Sequence, residues 1–460
     1  ELSPETIAVA FAKTSRSPLT FREIADELSE EASAEFHEKW VVGYGHASVA
    51  EHAILHIAIE NISRMAIESI ESNRLASYTE KSTRYQKWDA GAFVVPPELD
   101  GRPQRDEYER TVRMLFQTYT DSLAPTRALV AQQVPRRPNE SNEAWDRRIR
   151  SRYVDACRFL LPAASVANVG MTANARVLES AIRKMLSHPL AEVRQVGEQI
   201  KVVAQGEVPT LVKYADAVPY QIETEKDFTK QSRDTTYRIS PSDGNFCQLI
   251  DYDSDGENKI LAAVLYRFGD MSFQQALANV RARSGVERTQ LAESLLGKMQ
   301  RYDIPLREME FSTYTFDLVM DQGAYFEFKR HRMMTQTPQS LTTYLGYATP
   351  RLITEAGFGS PYAAAMDKVA ETFEKLAGFD PQIAAYVVPN GFNRRVLARF
   401  NLREAYHFCQ LRAARNAHFS IRRVAFKMFD EMAHVHPLLT KYMRLPEGDT
   451  WQQIGEDHLV

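Results

Sequence analysis

"SNRLASYTEKSTRY" (Ser72–Tyr85) and "KRHRMMTQTPQS" (Lys329–Ser340) are the stretches from which the architecture can be read. In each, an arginine is followed eight residues later by a serine: Arg74 to Ser82, and Arg332 to Ser340. Four basic residues (Lys329, Arg330, His331, Arg332) crowd ahead of the second serine, in a chain whose formal net charge is -4. The flanking sequence repeats as well. Arg74 and Arg332 are 258 residues apart (332 minus 74), and Glu51 and Glu310 are 259 apart (310 minus 51). Further on, "RFLLPAASVANVGMTANAR" (Arg158–Arg176) parallels "AYVVPNGFNRRVLARFNLR" (Ala385–Arg403), each with a proline near its start and an Asn-x-Arg at its end. Pro162 and Pro389 are 227 apart (389 minus 162), as are Arg176 and Arg403. Matched features in one order indicate a tandem duplication, with about 31 extra residues (258 minus 227) in the first copy.

"EHAILHIAIEN" (Glu51–Asn61) and "EFSTYTFDLVM" (Glu310–Met320) are rich in β-formers and are expected as strands, each leading through one short helix into its Arg-x7-Ser phrase. The Pro- and charge-rich "VPRRPNESNEAWDRRIR" (Val134–Arg150) reads as a surface insertion. The polar "ETEKDFTKQSRDTTYRISPSDGN" (Glu223–Asn245) reads as a linker, which sets the expected domains at 1–228 and 236–460.

A chain of 460 residues, 44% hydrophobic and 25% charged, can build two cores. No apolar run reaches the length of a membrane span, so no membrane partner is expected. The opening "ELSPETIAVAFAK" has neither the basic start nor the apolar centre of a signal peptide. Three scattered cysteines (Cys157, Cys247, Cys409) suit a reducing compartment, the cytoplasm, and offer no zinc spacing, so no metal is expected. Near-neutral charge argues against nucleic acid as a partner.

The basic phrase follows "GAYFEF", an aromatic run expected to be buried, and arginines held against a buried wall need an anion. Guanidinium groups with a nearby serine hydroxyl suit a phosphate monoester or a diphosphate. No glycine-rich phosphate loop occurs, and Ser82 and Ser340 lack recognisable His and Asp partners. Arg403 and Arg412, nine apart, would face opposite ways on one helix, whereas Arg412, Arg415 and Arg422 would share a face, equally compatible with a solvated stripe. His46 in "GYGHASVAEH" follows glycines and can approach a ligand closely; His52, His56 and His188 read as structural.

Taken in order, "GHASVAEH", Arg-x7-Ser, Arg-x3-Pro and "NAR" resemble the flavin-dependent thymidylate synthases twice over, and "RHRMMTQTPQS" matches that family's RHR-x7-S. The resemblance implies an α+β fold, an antiparallel sheet with helices, present here in two tandem copies. Family members are homotetramers with sites built from several subunits, which implies a homodimer imitating the tetramer. It further implies a flavin-dependent methyltransferase using FAD, with NAD(P)H as reductant, methylenetetrahydrofolate as carbon donor and dUMP as acceptor.

Carried over residue by residue, the first copy keeps the dUMP loop (Glu80, Ser82, Thr83, Arg84), the phosphate arginine Arg158, and His46, Ser48 and Glu51 on the flavin side, where Glu80 also serves. It reads Ser72-Asn73-Arg74 in place of RHR, and Lys184 roughly replaces the catalytic arginine. The second copy keeps Arg330, His331 and Arg332, with Arg330 facing both flavin and nucleotide, but has Pro338, Thr342 and Ala385 where the loop glutamate, loop arginine and phosphate arginine belong. Arg412 matches the catalytic arginine that helps ionise the uracil ring. Asn401, Arg403 and His407, and Asn174 with Arg176 in the first copy, match flavin contacts. Glu327 stands near dUMP where the family usually has Gln, a change that suits a base with an exocyclic amine. The losses are complementary, which implies a composite site using the loop of copy one with the RHR and Arg412 of copy two. The alternatives are a non-catalytic or divergent flavin and nucleotide binder acting on another pyrimidine nucleotide, and a structural duplicate with no ligand.

Overall fold

The structure is a computed structural model and describes residues 2–84, 86–89, 91–232 and 245–460. The expected linker falls mostly outside the described residues; its start, up to Ser232, ends the helix Pro219–Ser232. Among the described residues no helix is long and apolar enough to cross a membrane.

The fold is α+β, with two antiparallel sheets. In the first, β1 (Ile54–Ser63), β2 (Ala76–Glu80) and β3 (Val166–Asn174) lie in the order β1-β3-β2. In the second, β4 (Cys247–Tyr252), β5 (Thr313–Asp321), β6 (Thr335–Pro338) and β7 (Asn393–Asn401) lie in the order β4-β5-β7-β6. Without the edge strand β4, the two orders are the same. The registers match too: Ile54 pairs with Asn174, and Thr313 with Asn401. β3 and β7 start 227 residues apart (393 minus 166), the offset read from the prolines.

Local chemistry explains why each element recurs. Leu55, Ile57 and Ile59 alternate toward the core, as a strand with one covered face requires. A bulge after Ile59 bends β1, and Asn61 takes a positive φ of 57° there, its backbone N–H donating to the Asn168 Oδ1 at 3.0 Å. Asn174 and Asn401 each close a strand and cap the next helix, accepting from the N–H of Val177 and of Glu404, both at 2.9 Å.

The chain divides into two compact units, each borrowing from the other half of the sequence. One is Glu1–Phe116, Pro162–Tyr237 and Glu371–Val387; the other is Gln117–Leu161, Arg238–Ala370 and Val388–Val460. Arg158 therefore belongs with the second sheet, and its counterpart Ala385 with the first.

The extra residues of the first half lengthen two helices. Gln104–Gln133 and Asn142–Cys157 span 30 and 16 residues, against 19 and 4 for Gly359–Ala377 and Pro381–Ala384. The expected insertion is a surface turn only up to Ser141, which caps the helix that follows. From there Trp145 and Ile149, one helical turn apart, pack against Val130 and Tyr153, and the Trp145 indole donates to the Val134 carbonyl at 2.8 Å.

Divergence between the copies has been compensated inside each unit. In the first, Ser63 caps the helix Arg64–Glu71 and donates to the Glu192 carboxylate at 2.6 Å; Glu192 also accepts from the Ser63 N–H at 2.7 Å and the Tyr386 hydroxyl at 2.6 Å. Asp321 and Ser420 hold the equivalent places in the second unit (321 minus 63 is 258; 420 minus 192 is 228), so carboxylate and hydroxyl have changed places. Asp321 caps the helix Gln322–Phe328 through the Ala324 N–H at 2.8 Å, and burial pushes its carboxyl up. Glu192→Ala should destabilise the fold by about 3 kcal/mol, because it strands three buried donors. The double exchange Ser63→Asp with Glu192→Ser, which copies the second unit, should show a favourable coupling of about 1 kcal/mol in denaturant unfolding. Additive single effects would refute the compensation.

Candidate functional site

The site is built on the segment after β5. Asp321 starts the short helix Gln322–Phe328, every residue of which is buried, as expected for "GAYFEF". The helix stops at Phe328, and the backbone turns through two bonds, His331 N–H to the Phe328 carbonyl at 3.0 Å and Met334 N–H to the His331 carbonyl at 3.1 Å. The Gln336 amide locks this turn, donating to the same two carbonyls at 3.2 and 2.9 Å. Arg330, His331 and Arg332 thus ride on a turn, not on a helix face. His331 points into the protein, and Arg330 is exposed. The Lys329 ammonium lies 5.1 Å from the Phe326 ring centroid.

A row of charged groups runs inward from this turn. The Glu327 carboxylate is buried and takes an Arg412 NH1 bond at 3.2 Å through Oε2. Its Oε1 lies 3.6 Å from NH2 of Arg158, a nearly inaccessible arginine from the first half of the sequence. A Cβ at position 323 would crowd the Asp321 Oδ1 at 3.0 Å, while meeting the Arg158 NH2 only at an ordinary contact distance of 3.5 Å. Arg412 also donates from Nε to the His331 Nε2 at 3.0 Å, and the His331 Nδ1 lies 2.9 Å from the Glu404 Oε1. Burial, followed by the charge of Arg412, holds the His331 imidazole well below its ordinary range, while burial pushes the Glu404 carboxyl up. The ring is neutral at physiological pH. Its tautomer follows: Nε2 accepts from Arg412, so the hydrogen sits on Nδ1 and is donated to Glu404.

The other second-copy candidates divide. Arg412 closes the helix Leu402–Arg412, and the next helix begins at Phe419. The shared face expected for Arg412, Arg415 and Arg422 is therefore broken, and Arg415 and Arg422 both reach Asp449, at 3.5 and 2.6 Å. Arg403, at the start of that helix, is employed elsewhere, donating to Glu310 at 3.0 Å and to the Pro305 carbonyl at 2.9 Å. His407 is exposed, with its ring centroid 5.3 Å from that of His331.

The first-copy candidates lie in the other unit. Glu80 is ion-paired at 2.8 Å with Arg64, and both side chains are almost wholly inaccessible. Ser82 accepts from the Arg84 N–H at 3.2 Å, and Thr83 is buried. Arg176 pairs with Glu51, reproducing Arg403 with Glu310. His46 and Ser48 are exposed beside Gly45, whose φ is +74°. The row itself has no counterpart in this unit. By the offsets, Arg158, Glu327, His331, Glu404, His407 and Arg412 become Ala385, Ser69, Asn73, Val177, Ser180 and Met185. Lys184, next to Met185, bonds the Ser72 hydroxyl.

Sequence reasoning missed Glu404 and Arg64. In "NLRE", Asn401 followed three residues later by Glu404 looks like a helix-capping pair, which hides the reach of Glu404 to His331. Arg64 looks like an ordinary first-turn residue. In the second unit Gln322 and Pro338 replace Arg64 and Glu80, and Arg394 takes over the anchoring, donating to the Gln339 carbonyl at 2.6 Å and to the Gln322 Oε1 at 3.4 Å.

A family model described as "thymidylate synthase complementing protein" matches residues 1–210 and again 248–438. A UPF0159 protein of Chlamydia muridarum is 29% identical over 434 residues, covering 91% of this chain and 82% of its own. A flavin-dependent thymidylate synthase of Clostridium tetani is 27% identical over 220 residues, 46% of this chain and 82% of its own. A solved UMP/dUMP methylase, PolB from Streptomyces cacaoi bound with 5-Br dUMP, is 19% identical and covers 43% of this chain and 93% of its own at a TM-score of 0.35, too low to bear on the fold.

The neutral His331 gives a test. Unfolded, the imidazole takes up a proton near its ordinary value of 6.5; folded, it does so only well below that. Its contribution to stability is full above about pH 6.5 and is lost as the pH falls through the window beneath, at about 1.4 kcal/mol per unit of depression. Glu404, raised by burial from 4.5, works in the opposite sense above that value, so the comparison must be differential. Between pH 7.5 and 5.5, wild type should lose about 1 kcal/mol more unfolding free energy than His331→Asn. Equal losses would place a charged imidazole in the folded site.

Proposed function

The chain belongs to the thymidylate synthase complementing protein family, and we propose that it is a flavin-dependent methyltransferase that converts dUMP to dTMP. The observation that carries this reading is the charge balance of the row. Two guanidinium groups, those of the buried Arg158 and the half-buried Arg412, converge on the carboxylate of Glu327, beside Arg330, Arg332 and a neutral imidazole. Such a concentration of cationic donors suits a nucleotide phosphate and an anionic reduced cofactor.

The same donor set fits FAD. Arg330, His331, Arg332 and His407, with Asn401 and Arg403 behind them, would hold it in the second copy; His46, Ser48, Glu51, Glu80, Asn174 and Arg176 would serve from the first. Bound FAD supplies the reducing equivalents that turn a transferred methylene into a methyl group. Methylenetetrahydrofolate is the proposed carbon source and NAD(P)H the reductant.

The protein's own residues do the rest. Cys157, Cys247 and Cys409 are all buried and none is a member of the row, and burial pushes the thiols of Cys247 and Cys409 up, so the proposed mechanism uses no cysteine adding to uracil C6. The ring must instead be activated electrostatically. Arg412, near uracil N3 and O4, would stabilise the anion that forms as C5 attacks, a contribution of about 3 kcal/mol for one preorganised donor. Arg84, Arg158 and Arg330 would hold the phosphate, and Glu80, Ser82 and Thr83 of the loop would grip the rest of the nucleotide and set the ring's position. In this reading the site is composite, the assembly is a cytoplasmic homodimer, and each chain carries one nucleotide site because the other row is stripped. A second reading, another pyrimidine nucleotide as substrate, is favoured by Glu327, whose carboxylate oxygens can only accept and so suit an exocyclic amine.

Purified protein should be yellow, bind one dUMP per chain and form dTMP. Arg412→Ala should keep the fold and slow turnover by about a hundredfold, with a smaller effect on binding. A colourless protein, two nucleotides per chain, or unchanged turnover would each break a different part of this reading, and tighter binding of dCMP than dUMP would select the second. Arg84→Ala and Arg330→Ala should each weaken dUMP binding by about 1.5–3 kcal/mol and be non-additive in calorimetry. Independent effects would dissolve the composite site.

A further inference from the structure

We infer that Glu404 is a positioning residue which, by fixing the tautomer of His331, fixes the orientation of Arg412. Its role as an aid to turnover rests on the function proposed above; its role as a tautomer lock does not.

Arg412 Nε carries one hydrogen and can only donate, and it lies 3.0 Å from the His331 Nε2. That bond exists only if Nε2 holds a lone pair. The Glu404 Oε1, 2.9 Å from Nδ1, is the acceptor that makes this state the favoured one. Without it the ring is at liberty to carry its hydrogen on Nε2, which would set two donors against each other and turn the guanidinium away. With it, Arg412 is held at two points by two acceptors, His331 at Nε and Glu327 at NH1, and the direction of its NH2 end follows.

The surroundings favour the neutral ring. Arg412 and His407 face it from the helix Leu402–Arg412, Arg332 from its own turn, and Glu327 from the preceding helix, with Glu404 the one carboxylate bonded to it among the described residues. The other copy supplies an independent observation. Val177 and Asn73 stand where Glu404 and His331 belong, and Lys184 roughly replaces Arg412, so the glutamate and the histidine are missing together and the arginine is no longer an arginine. A glutamate that served only its own helix would have no reason to disappear along with the histidine and the arginine.

The test uses the full chain, with the ring nitrogens of His331 read by NMR at pH 7.5 and turnover of dUMP measured alongside. In wild type the hydrogen should sit on Nδ1. Glu404→Leu should give a mixture or the Nε2 form and lower kcat by about tenfold to a hundredfold, the scale of a displaced catalytic group, with KM within about threefold. Glu404→Gln, whose amide oxygen still accepts, should keep the Nδ1 form and most of kcat. An Nε2 hydrogen in wild type, or a tautomer that Glu404→Leu does not move, overturns the inference whether or not the protein acts on dUMP. A moved tautomer with unchanged kcat also overturns it, since Arg412 would then need no positioning. Should Glu404→Leu fail to fold, the wild-type and Gln tautomers decide, and an Nε2 hydrogen in either counts against the lock.

Discussion

A buried carboxylate shared by two arginines is the constraint around which the second unit is arranged. Glu327 sits on a helix with no exposed residue, between Arg158 and Arg412. Leaving any member of such a group alone in the interior would cost several kcal/mol, so each fixes the others. The constraint spreads outward through small requirements: a helix ending at Arg412 so that its guanidinium faces the turn, and a neutral His331 so that a third positive charge is not added. Stability and ligand chemistry are therefore requirements on the same atoms.

Two copies of one pattern have met the same structural needs by different means. Each sheet-to-helix junction places a carboxylate and a hydroxyl at matching positions, yet Ser63 and Glu192 have become Asp321 and Ser420. Each strand within an Arg-x7-Ser phrase has a buried arginine behind it, yet Arg64 fills that place in one unit and Arg394 in the other. These are the marks of sequences that drifted while their folds were maintained. The charged row behaves otherwise: it is whole in one unit, while in the other its carboxylates and histidines have given way to neutral side chains and only Lys184 roughly replaces an arginine.

The repeated architecture was largely legible in the sequence, because constant offsets between distant motifs do not depend on knowing the fold. Strand positions followed from β-formers and alternation, and β3 and β7 keep the offset read from the prolines. The units were less legible. Nothing in the residues around Arg158 announces that this segment packs with the second half, since that is a matter of tertiary contact. At the site, Arg412, His331 and Glu327 could be named from motif and resemblance, but their mutual bonds could not. The helical spacing that put Arg412, Arg415 and Arg422 on one face assumed an unbroken helix, and the break after Arg412 removed it. Glu404 was concealed because a capping motif already accounts for it.

The borrowing of Arg158 by the second unit changes what the duplication is. A repeated gene usually begins as a spare, in which either copy can decay at no cost and be discarded. Here one half supplies the arginine and the other the glutamate, histidine and second arginine. Shedding the second half would leave Arg158 without its carboxylate, and shedding the first would take one of the two arginines from Glu327. Redundancy has become mutual dependence, and the two halves are now bound to a common inheritance.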